Sequence, residues 1–297
     1  MESNIYRLIA EDGLARRSEI KTQHGKFQTP AFMPVGTYGA VKALSPRILE
    51  DLEAEIILSN TYHLMERPGV DIIKAHGGLH NFMGWNSPIL TDSGGYQVFS
   101  LSKKRTITDE GVQFFSLLNG DKRYLTPESC MQLQLDYGVD IAMVLDECTP
   151  YPIAEDAAKK SMQLSLRWAD RCRKAFKTEN ASLFGIVQGG VFNNLREDSL
   201  GELIEINFEG YAIGGLSVGE PKEDMIRVVN HIAPMMPTEK PRYLMGVGTP
   251  LDIVKAVEAG IDMFDCVIPT RHARNGYLYT SKGIVKIRNS ENKNNLE

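Results

Sequence analysis

The strongest constraint on the fold is a short apolar segment that occurs eight times along the chain, nearly always ending in a polar or glycine cluster. Helical segments separate these runs, and this alternation predicts a parallel sheet with helical crossovers. An open doubly wound sheet also fits, but eight strands favour an α/β fold closed as a (β/α)8 TIM barrel, whose active site lies at the strand carboxyl ends. The predicted strands lie within residues 31–37, 55–62, 88–95, 141–147, 183–190, 210–217, 242–248 and 263–269.

Two hairpins are predicted outside this alternation. Residues 5–10 and 16–22 are strand-like around the turn Asp12-Gly13, and they form an N-terminal antiparallel hairpin that covers the amino end of the barrel. Asn119-Gly120, within residues 106–127, predicts a β-hairpin insertion after the third strand, near the catalytic mouth. Helices are predicted at residues 47–54, 129–137, 153–176, 193–206, 221–233 and 250–259.

Length and composition indicate one soluble unit. The chain has 297 residues, of which 42% are hydrophobic and 24% charged, as is typical of a globular protein. Because the sequence shows neither a bilayer-spanning stretch nor a secretion signal, we expect a single cytoplasmic barrel over residues 1–297 without a membrane partner. The four cysteines form no Cys-x-x-Cys pair, which indicates reduced core thiols and no metal site.

Charge is unevenly distributed. The net charge of −5 does not suggest a nucleic-acid partner, yet residues 267–297 hold six basic residues against two acidic ones. Solvated surface charge would explain this cluster, but the net charge does not exclude a local phosphate-binding face.

Three aspartates stand at the ends of predicted strands. Asp92, Asp146 and Asp265 each follow an apolar run, so a barrel would bring them to one mouth. A buried carboxylate is costly unless it is paired or used. Two carboxylates that face a sugar carbon can divide the work, one attacking and the other moving a proton. The alternative for each aspartate is a structural cap of the following helix.

Other strand ends offer groups that could hold a planar ligand. Gln188 carries a donor and an acceptor suited to a purine edge, and Tyr96 and Met245 could stack on a base. Solvation of Gln188 and core packing of Tyr96 and Met245 are the alternatives. Glycine pairs could admit a ligand to backbone N–H groups or simply form tight turns. These pairs are Gly94-Gly95, Gly189-Gly190 and Gly214-Gly215.

Six ordered strings resemble the bacterial tRNA-guanine transglycosylase family, and the resemblance runs over residues 5–288. The strings are TDSGGYQ (91–97), DECTPY (146–151), GIVQGG (185–190), GGLSVGE (214–220), YLMGVG (243–248) and FDCVIPTR (264–271).

The resemblance implies a (β/α)8 barrel that exchanges the wobble guanine of tRNAs with GUN anticodons for 7-aminomethyl-7-deazaguanine, the queuosine precursor. Asp265 matches the family nucleophile, which attacks the ribose C1′ and forms a covalent intermediate. Asp92 matches the general acid/base, which deprotonates the incoming base. Two inversions then give retention of configuration. Val218 and Cys148 resemble the bacterial members, which favours the aminomethyl base over the bulkier queuine.

The resemblance also implies two sets of binding residues. Asp146, Gln188 and the Gly215 backbone match base-reading contacts, while Tyr96 and Met245 match the residues that sandwich the flipped base. The full base-binding set is Ser93, Gly94, Gly95, Tyr96, Asp146, Cys148, Gln188, Gly214, Gly215, Leu216, Tyr243 and Met245. The RNA-binding set is Gly246, Val247, Gly248, Thr249, Pro250, Leu251, Asp252, Thr270, Arg271, His272, Ala273 and Arg274.

One departure from the family bears on activity. The family carries a C-x-C-x-x-C…H zinc site after the segment that matches residues 286–288, followed by the last barrel helix, and this sequence ends at Glu297. We therefore expect the zinc subdomain and the last helix to be absent, and this chain to bind no cofactor. Because that region of the family also helps to hold the homodimer, we expect its absence to impair dimer formation. The alternatives to an active enzyme are a non-catalytic tRNA-binding or partner subunit and an ordinary glycoside hydrolase.

Overall fold

A computed structural model describes residues 5–101 and 104–294, and its first element is a three-stranded antiparallel sheet. The strands are β1 (Tyr6–Asp12), β2 (Ala15–Thr22) and β3 (Gly25–Thr29). The predicted hairpin is therefore confirmed, whereas its third strand was missed.

Eight parallel strands form the centre of the molecule, and each overlaps one predicted segment. Their residues are almost all buried, because helices cover the outer face and side chains fill the inside. This explains why the strands read as continuous apolar runs. They are β4 (Ala31–Met33), β5 (Ile57–Asn60), β6 (Ile89–Asp92), β10 (Ile141–Met143), β11 (Ser182–Val187), β12 (Gly210–Ile213), β13 (Arg242–Leu244) and β14 (Met263–Asp265).

The sheet runs in the order β4-β14-β13-β12-β11-β10-β6-β5 and is nearly closed as a barrel. Its two ends meet at an isolated parallel bridge between Val35 and Leu58. Leu58 accepts from the Gly36 N–H at 2.6 Å and donates to the Pro34 carbonyl at 3.0 Å. The predicted TIM-barrel class is therefore confirmed.

The insertion after β6 is a second antiparallel sheet. It contains β7 (Arg105–Ile107), β8 (Val112–Phe115) and β9 (Lys122–Leu125), so the predicted Asn119-Gly120 hairpin joins β8 to β9. A further hairpin that the sequence analysis missed, β15 (Tyr277–Thr280) with β16 (Gly283–Lys286), follows the barrel.

The six predicted helices are confirmed to within two or three residues at most ends, and five others were missed. The missed helices span five to seven residues, too short to show helical periodicity. The helices are α1 (Pro46–Asp51), α2 (Thr61–Glu66), α3 (Val70–Ala75), α4 (Leu79–Met83), α5 (Gly95–Leu101), α6 (Pro127–Tyr137), α7 (Glu155–Ala175), α8 (Asn193–Ile206), α9 (Lys222–Ile232), α10 (Pro250–Glu258) and α11 (Ile268–Arg274). Within the described part of the chain, no helix has the length and apolarity needed to cross a bilayer. The assignment of residues 1–297 to one catalytic domain stays a prediction.

The N-terminal sheet is fastened to the amino end of the barrel by a buried ion pair. The Arg16 guanidinium, from β2, contacts the carboxylate of Asp262, which lies just before β14, and both side chains are almost fully buried. Arg16 also donates to the carbonyls of Thr238 at 2.7 Å and Lys240 at 3.0 Å. One side chain thus joins the sheet to two chain segments at the bottom of the barrel.

We expect Arg16→Met to destabilise the fold by about 3–5 kcal/mol, because it leaves the Asp262 carboxylate buried without its cation. Urea unfolding monitored by circular dichroism measures the change. Arg167→Met is the control, since Arg167 pairs with Asp109 on the exposed face of α7. Equal unfolding free energies for the two variants would contradict the proposed importance of the buried pair.

Candidate active site

The three aspartates lie at the carboxyl end of the barrel. Asp92 is the last residue of β6 and Asp265 is the last residue of β14. Asp146 follows β10 after two further residues and is buried. The parallel strand order thus brings to one end three carboxylates that are far apart in the sequence.

Asp92 is buried and held by hydrogen bonds from two sides. Its Oδ2 accepts from Asn60 Nδ2 at 2.5 Å and from Gln97 Nε2 at 2.9 Å, while its Oδ1 accepts from the Thr61 N–H at 2.9 Å. Burial raises the pKa of Asp92 to about 6 against the lowering effect of these donors, and the charge of Asp265 adds to the rise. The carboxyl group therefore changes protonation close to neutral pH.

Asp265 is held at one oxygen only. Its Oδ1 accepts from the Tyr243 hydroxyl at 2.5 Å and from the Gly246 N–H at 2.7 Å. Among the described residues, its Oδ2 has no hydrogen-bond partner. Burial raises the pKa of Asp265, and the two donors oppose the rise. One oxygen thus orients the carboxylate while the other stays available.

The charges of both Asp265 and Asp92 act on the Tyr243 hydroxyl. Burial raises the pKa of the Tyr243 hydroxyl well above its ordinary value, and the negative charges of Asp265 and then Asp92 raise it further. The hydroxyl therefore stays protonated and donates to Asp265. The charge of Asp265 also raises the pKa of Asp92, although no hydrogen bond joins the two carboxylates within the described residues.

Asp146 and Gln188 form a buried, hydrogen-bonded pair at the same end of the barrel. Gln188 Nε2 donates to Asp146 Oδ2 at 2.6 Å, and Ser93 Oγ donates to Asp146 Oδ1 at 3.4 Å. Burial raises the pKa of Asp146 to about 6, against the hydrogen bonds from Gln188 and Ser93. The Gly95 backbone packs directly on Asp146, because an added Cβ would lie 2.5 Å from the Asp146 carbonyl oxygen.

The Gly214-Gly215 turn packs against the side-chain amide of Gln188. A Cβ on Gly214 would lie 3.1 Å from Gln188 Nε2 and 3.6 Å from Met245 Sδ, and one on Gly215 would clash with Gln188 Oε1. Gly215 has a φ of 63°, which favours glycine. Gly215 is therefore needed for the close approach of this backbone to Gln188, while a Cβ on Gly214 would first meet Ile186, whose Cγ2 would lie 2.5 Å away.

The remaining residues of the predicted base-binding set surround these pairs. Cys148 and Leu216 are buried, and burial raises the pKa of the Cys148 thiol to about 12, so the thiol is neutral. Gly94 packs against Tyr62, since an added Cβ would lie 3.1 Å from the Tyr62 Cβ. Tyr96 is 48% exposed on α5 and Met245 is half-buried beyond β13. Their sandwiching of a base stays a prediction.

The two predicted RNA-binding segments follow the neighbouring strands β13 and β14, so they flank Asp265. In residues 246–252, Val247 and Gly248 are buried, and Asp252 accepts from Thr249 Oγ1 at 2.5 Å, while Pro250 and Leu251 are exposed at the start of α10. Residues 270–274 belong to α11. Thr270 is half-buried, and His272 Nδ1 lies 2.8 Å from the Tyr279 hydroxyl. Arg271, Ala273 and Arg274 are exposed. The exposed cations therefore stand beside the mouth.

The sequence analysis missed the residues that hold the predicted ones. Asn60, Thr61 and Gln97 surround Asp92, and the polar end of the segment 55–62 was the available signal for the first two. Arg196 and Ser199, both buried on α8, contact the strand ends beside Gln188. No sequence motif marks them.

One group with metal-ligand side chains occurs among the described residues, and it lies at the opposite, amino end. Asp140 accepts from His24 Nδ1 at 3.0 Å and from His80 Nε2 at 3.1 Å. The two rings are stacked with centroids 3.6 Å apart. Burial would raise the pKa of Asp140, but hydrogen bonds from His80, the Ile89 N–H and the His24 N–H lower it to about 2. We therefore interpret the group as a hydrogen-bonded anchor for β3.

Comparison with known proteins identifies the family. The model of the family described as Queuine tRNA-ribosyltransferase matches residues 11–297. A Queuine tRNA-ribosyltransferase from Francisella tularensis subsp. novicida (strain U112) is 61% identical over 288 residues, which is 97% of this chain and 78% of the relative. Relatives of the same name from subsp. tularensis (strain WY96-3418) and subsp. holarctica (strain LVS) show the same identity and coverage.

The chain belongs to the queuine tRNA-ribosyltransferase family. Ribosyl transfer is a pentosyltransferase reaction, so the family membership agrees with the enzyme class implied by the sequence motifs. The zinc site that the resemblance implies is built largely from cysteines. Here Cys130, Cys148, Cys172 and Cys266 are buried free thiols, and within the described residues none of them shares a metal-ligand group.

We expect Gly95→Ala to destabilise the protein by about 1–3 kcal/mol, because the new Cβ must displace the backbone of Asp146. Gly201→Ala is the matched control, since a Cβ there meets no atom within 4 Å on the exposed face of α8, and we expect a gain of about 0.5–1 kcal/mol. Chemical unfolding of both variants tests this difference. A Gly95→Ala variant as stable as the wild type would show that Asp146 is not tightly held.

Proposed function

We propose that this protein exchanges the wobble guanine of tRNAs with GUN anticodons for 7-aminomethyl-7-deazaguanine, in queuosine biosynthesis. The observation that carries the proposal is the unequal environment of two carboxylates at one mouth. Asp265 has one anchored and one available oxygen, while Asp92 titrates near neutral pH. The names of the relatives support tRNA as the substrate of the ribosyl transfer.

Asp265 performs the first displacement in this proposal. Its available oxygen attacks the ribose C1′, the C1′–N9 bond breaks, and the bonding electrons go to guanine N9. Asp92, protonated at this stage, gives its proton to the departing base. The product is free guanine and a ribosyl ester on Asp265. The Tyr243 hydroxyl and the Gly246 N–H hold Oδ1, which becomes the carbonyl oxygen of the ester.

The second displacement reverses these roles. Asp92 is now a carboxylate and takes the N9 proton of the incoming base, whose N9 attacks C1′ and releases Asp265. The proton that Asp92 lost returns to it, so the cycle is balanced. A pKa near 6 suits a group that must both give and take a proton. Two inversions at C1′ give net retention.

Base recognition falls to the buried pair of Asp146 and Gln188 together with the Gly215 N–H. These groups line one side of the mouth and carry the donors and acceptors that a guanine-like edge requires. Tyr96 and Met245 would stack on the two faces of the flipped base. Val218 and Cys148 are the residues that favour the aminomethyl base. Arg271 and Arg274, exposed on α11, would contact the tRNA backbone.

Incubation with tRNA and labelled guanine tests the proposal directly. We expect Asp265→Asn to lower the exchange rate at least about a thousandfold and to remove the covalent tRNA adduct, because the nucleophile is lost. Asp140→Asn is the control, since Asp140 is a buried carboxylate that precedes β10 at the other end of the barrel. Exchange by Asp265→Asn would exclude Asp265 as the nucleophile. Binding of tRNA without exchange by the wild type would indicate the non-catalytic subunit instead.

We expect Arg271→Ala to weaken tRNA binding and to reduce the slope of log affinity against log salt by about one, because one phosphate contact is lost. Arg17→Ala is the control, since Arg17 is exposed on the N-terminal sheet, away from the mouth. Filter binding at several salt concentrations gives both slopes. Identical slopes for the two variants would place the tRNA elsewhere.

A further inference from the structure

Arg196 is a buried cation with three backbone acceptors and no carboxylate bonded to it among the described residues. Its Nε donates to the Gly190 carbonyl at 2.9 Å, and its Nη1 donates to the carbonyls of Val187 at 2.6 Å and Gly214 at 2.7 Å. Its Nη2 is buried without a hydrogen-bond partner. Burial lowers the pKa of Arg196 to about 10, so the guanidinium is still charged at neutral pH.

Val187 is the last residue of β11 and Gly214 follows the neighbouring strand β12, while Gly190 lies in the turn after β11. The Val187 carbonyl is one half of the peptide that leads into Gln188. The other half, the Gln188 N–H, donates to Ser199 Oγ at 3.1 Å. Arg196 and Ser199 both come from α8, so one helix holds this peptide from both sides. The backbone from which the Gln188 amide projects is thereby fixed.

The Gly214 carbonyl is half of the peptide whose N–H belongs to Gly215. A cation on a carbonyl oxygen polarises the peptide and makes its N–H a stronger donor. The same contact fixes the direction of that N–H. The Gly215 backbone also packs on the Gln188 side chain. Arg196 therefore acts on two of the three groups that the proposed function uses to read the base, namely Gln188 and the Gly215 N–H.

A purely structural role is a poor account of this residue. A buried charge is costly to desolvate, and an apolar side chain of similar volume usually stabilises a core as well or better. A buried donor without an acceptor adds to that cost. The advantage of a guanidinium here is its planar set of donors, which reaches carbonyls on two different strand ends at once.

We propose that Arg196 is a positioning residue of the base site, which fixes Gln188 and the Gly214–Gly215 peptide in the arrangement that reads the guanine-like edge. This inference rests on the proposed function, because it assumes that the site binds a base. It assigns Arg196 an effect on base affinity and selectivity rather than on tRNA binding or on the displacement at C1′.

Guanine binding to the tRNA-free protein, measured by calorimetry, separates the inference from catalysis. Arg196→Lys keeps the charge, but a single ammonium cannot reach all three carbonyls. We expect its guanine Kd to rise at least about tenfold, with the tRNA Kd within about twofold of wild type. Arg242→Lys is the matched control: Arg242 is also buried, and it donates to the Met236 and Gly260 carbonyls at the opposite end of the barrel.

Base selectivity provides a readout that loss of stability would not change. 2-Aminopurine lacks the exocyclic oxygen of guanine, so a weakened or turned Gly215 N–H should cost it less affinity. We expect Arg196→Lys to lower the ratio of guanine to 2-aminopurine affinity about tenfold, and Arg242→Lys to leave it unchanged.

The outcomes distinguish this inference from the proposed function. A folded Arg196→Lys variant with wild-type guanine affinity and selectivity would overturn the positioning role. An equal loss of affinity in Arg242→Lys would overturn it as well, because the effect would then be one of general stability. A wild-type protein that binds guanine but exchanges none into tRNA would contradict the proposed function and leave the comparison of variants valid.

Discussion

The desolvation of carboxylates at one end of the barrel is the constraint on which the site depends. Asp92 and Asp146 are buried and Asp265 is half-buried, and each accepts a hydrogen bond from another part of the barrel: from Asn60 to Asp92, from Gln188 to Asp146 and from Tyr243 to Asp265. The three donors lie on or just after β5, β11 and β13. Each of these strands pairs directly with the strand that precedes or carries the carboxylate, which is β6, β10 or β14. The strand pairing that forms the barrel therefore also brings together the groups that set the pKa values of its carboxylates.

The sequence alone could predict the barrel because its strands are buried on both faces. Their residues read as eight unbroken apolar runs, and an aspartate at the end of such a run is conspicuous, as with Asp265. Strand β3 was missed because its alternating pattern covers only five residues. Helices such as α4 were missed because a single turn carries no periodicity, and only contacts with the barrel stabilise it.

The candidate site was predictable in its carboxylates but not in their supports. Asp92 and Asp146 stand next to strands, where the topology dictates their location. Arg196, by contrast, lies in a polar stretch of α8 that resembles a solvated helix face, and its burial depends on carbonyls contributed by two other elements. Such contacts arise only once the strands have a spatial order, so one-dimensional patterns contain no trace of them.

A single paired position closes the ring between β4 and β5, whereas every other pair of neighbouring strands shares at least two. Asp265 lies on β14, which pairs with β4, and Asp92 lies on β6, which pairs with β5. The join between β4 and β5 therefore lies between the two strands that carry these aspartates. The distance between the two carboxylates therefore depends on the join between β4 and β5, which has the fewest paired positions in the ring. Local opening there would separate them while both strands stay folded.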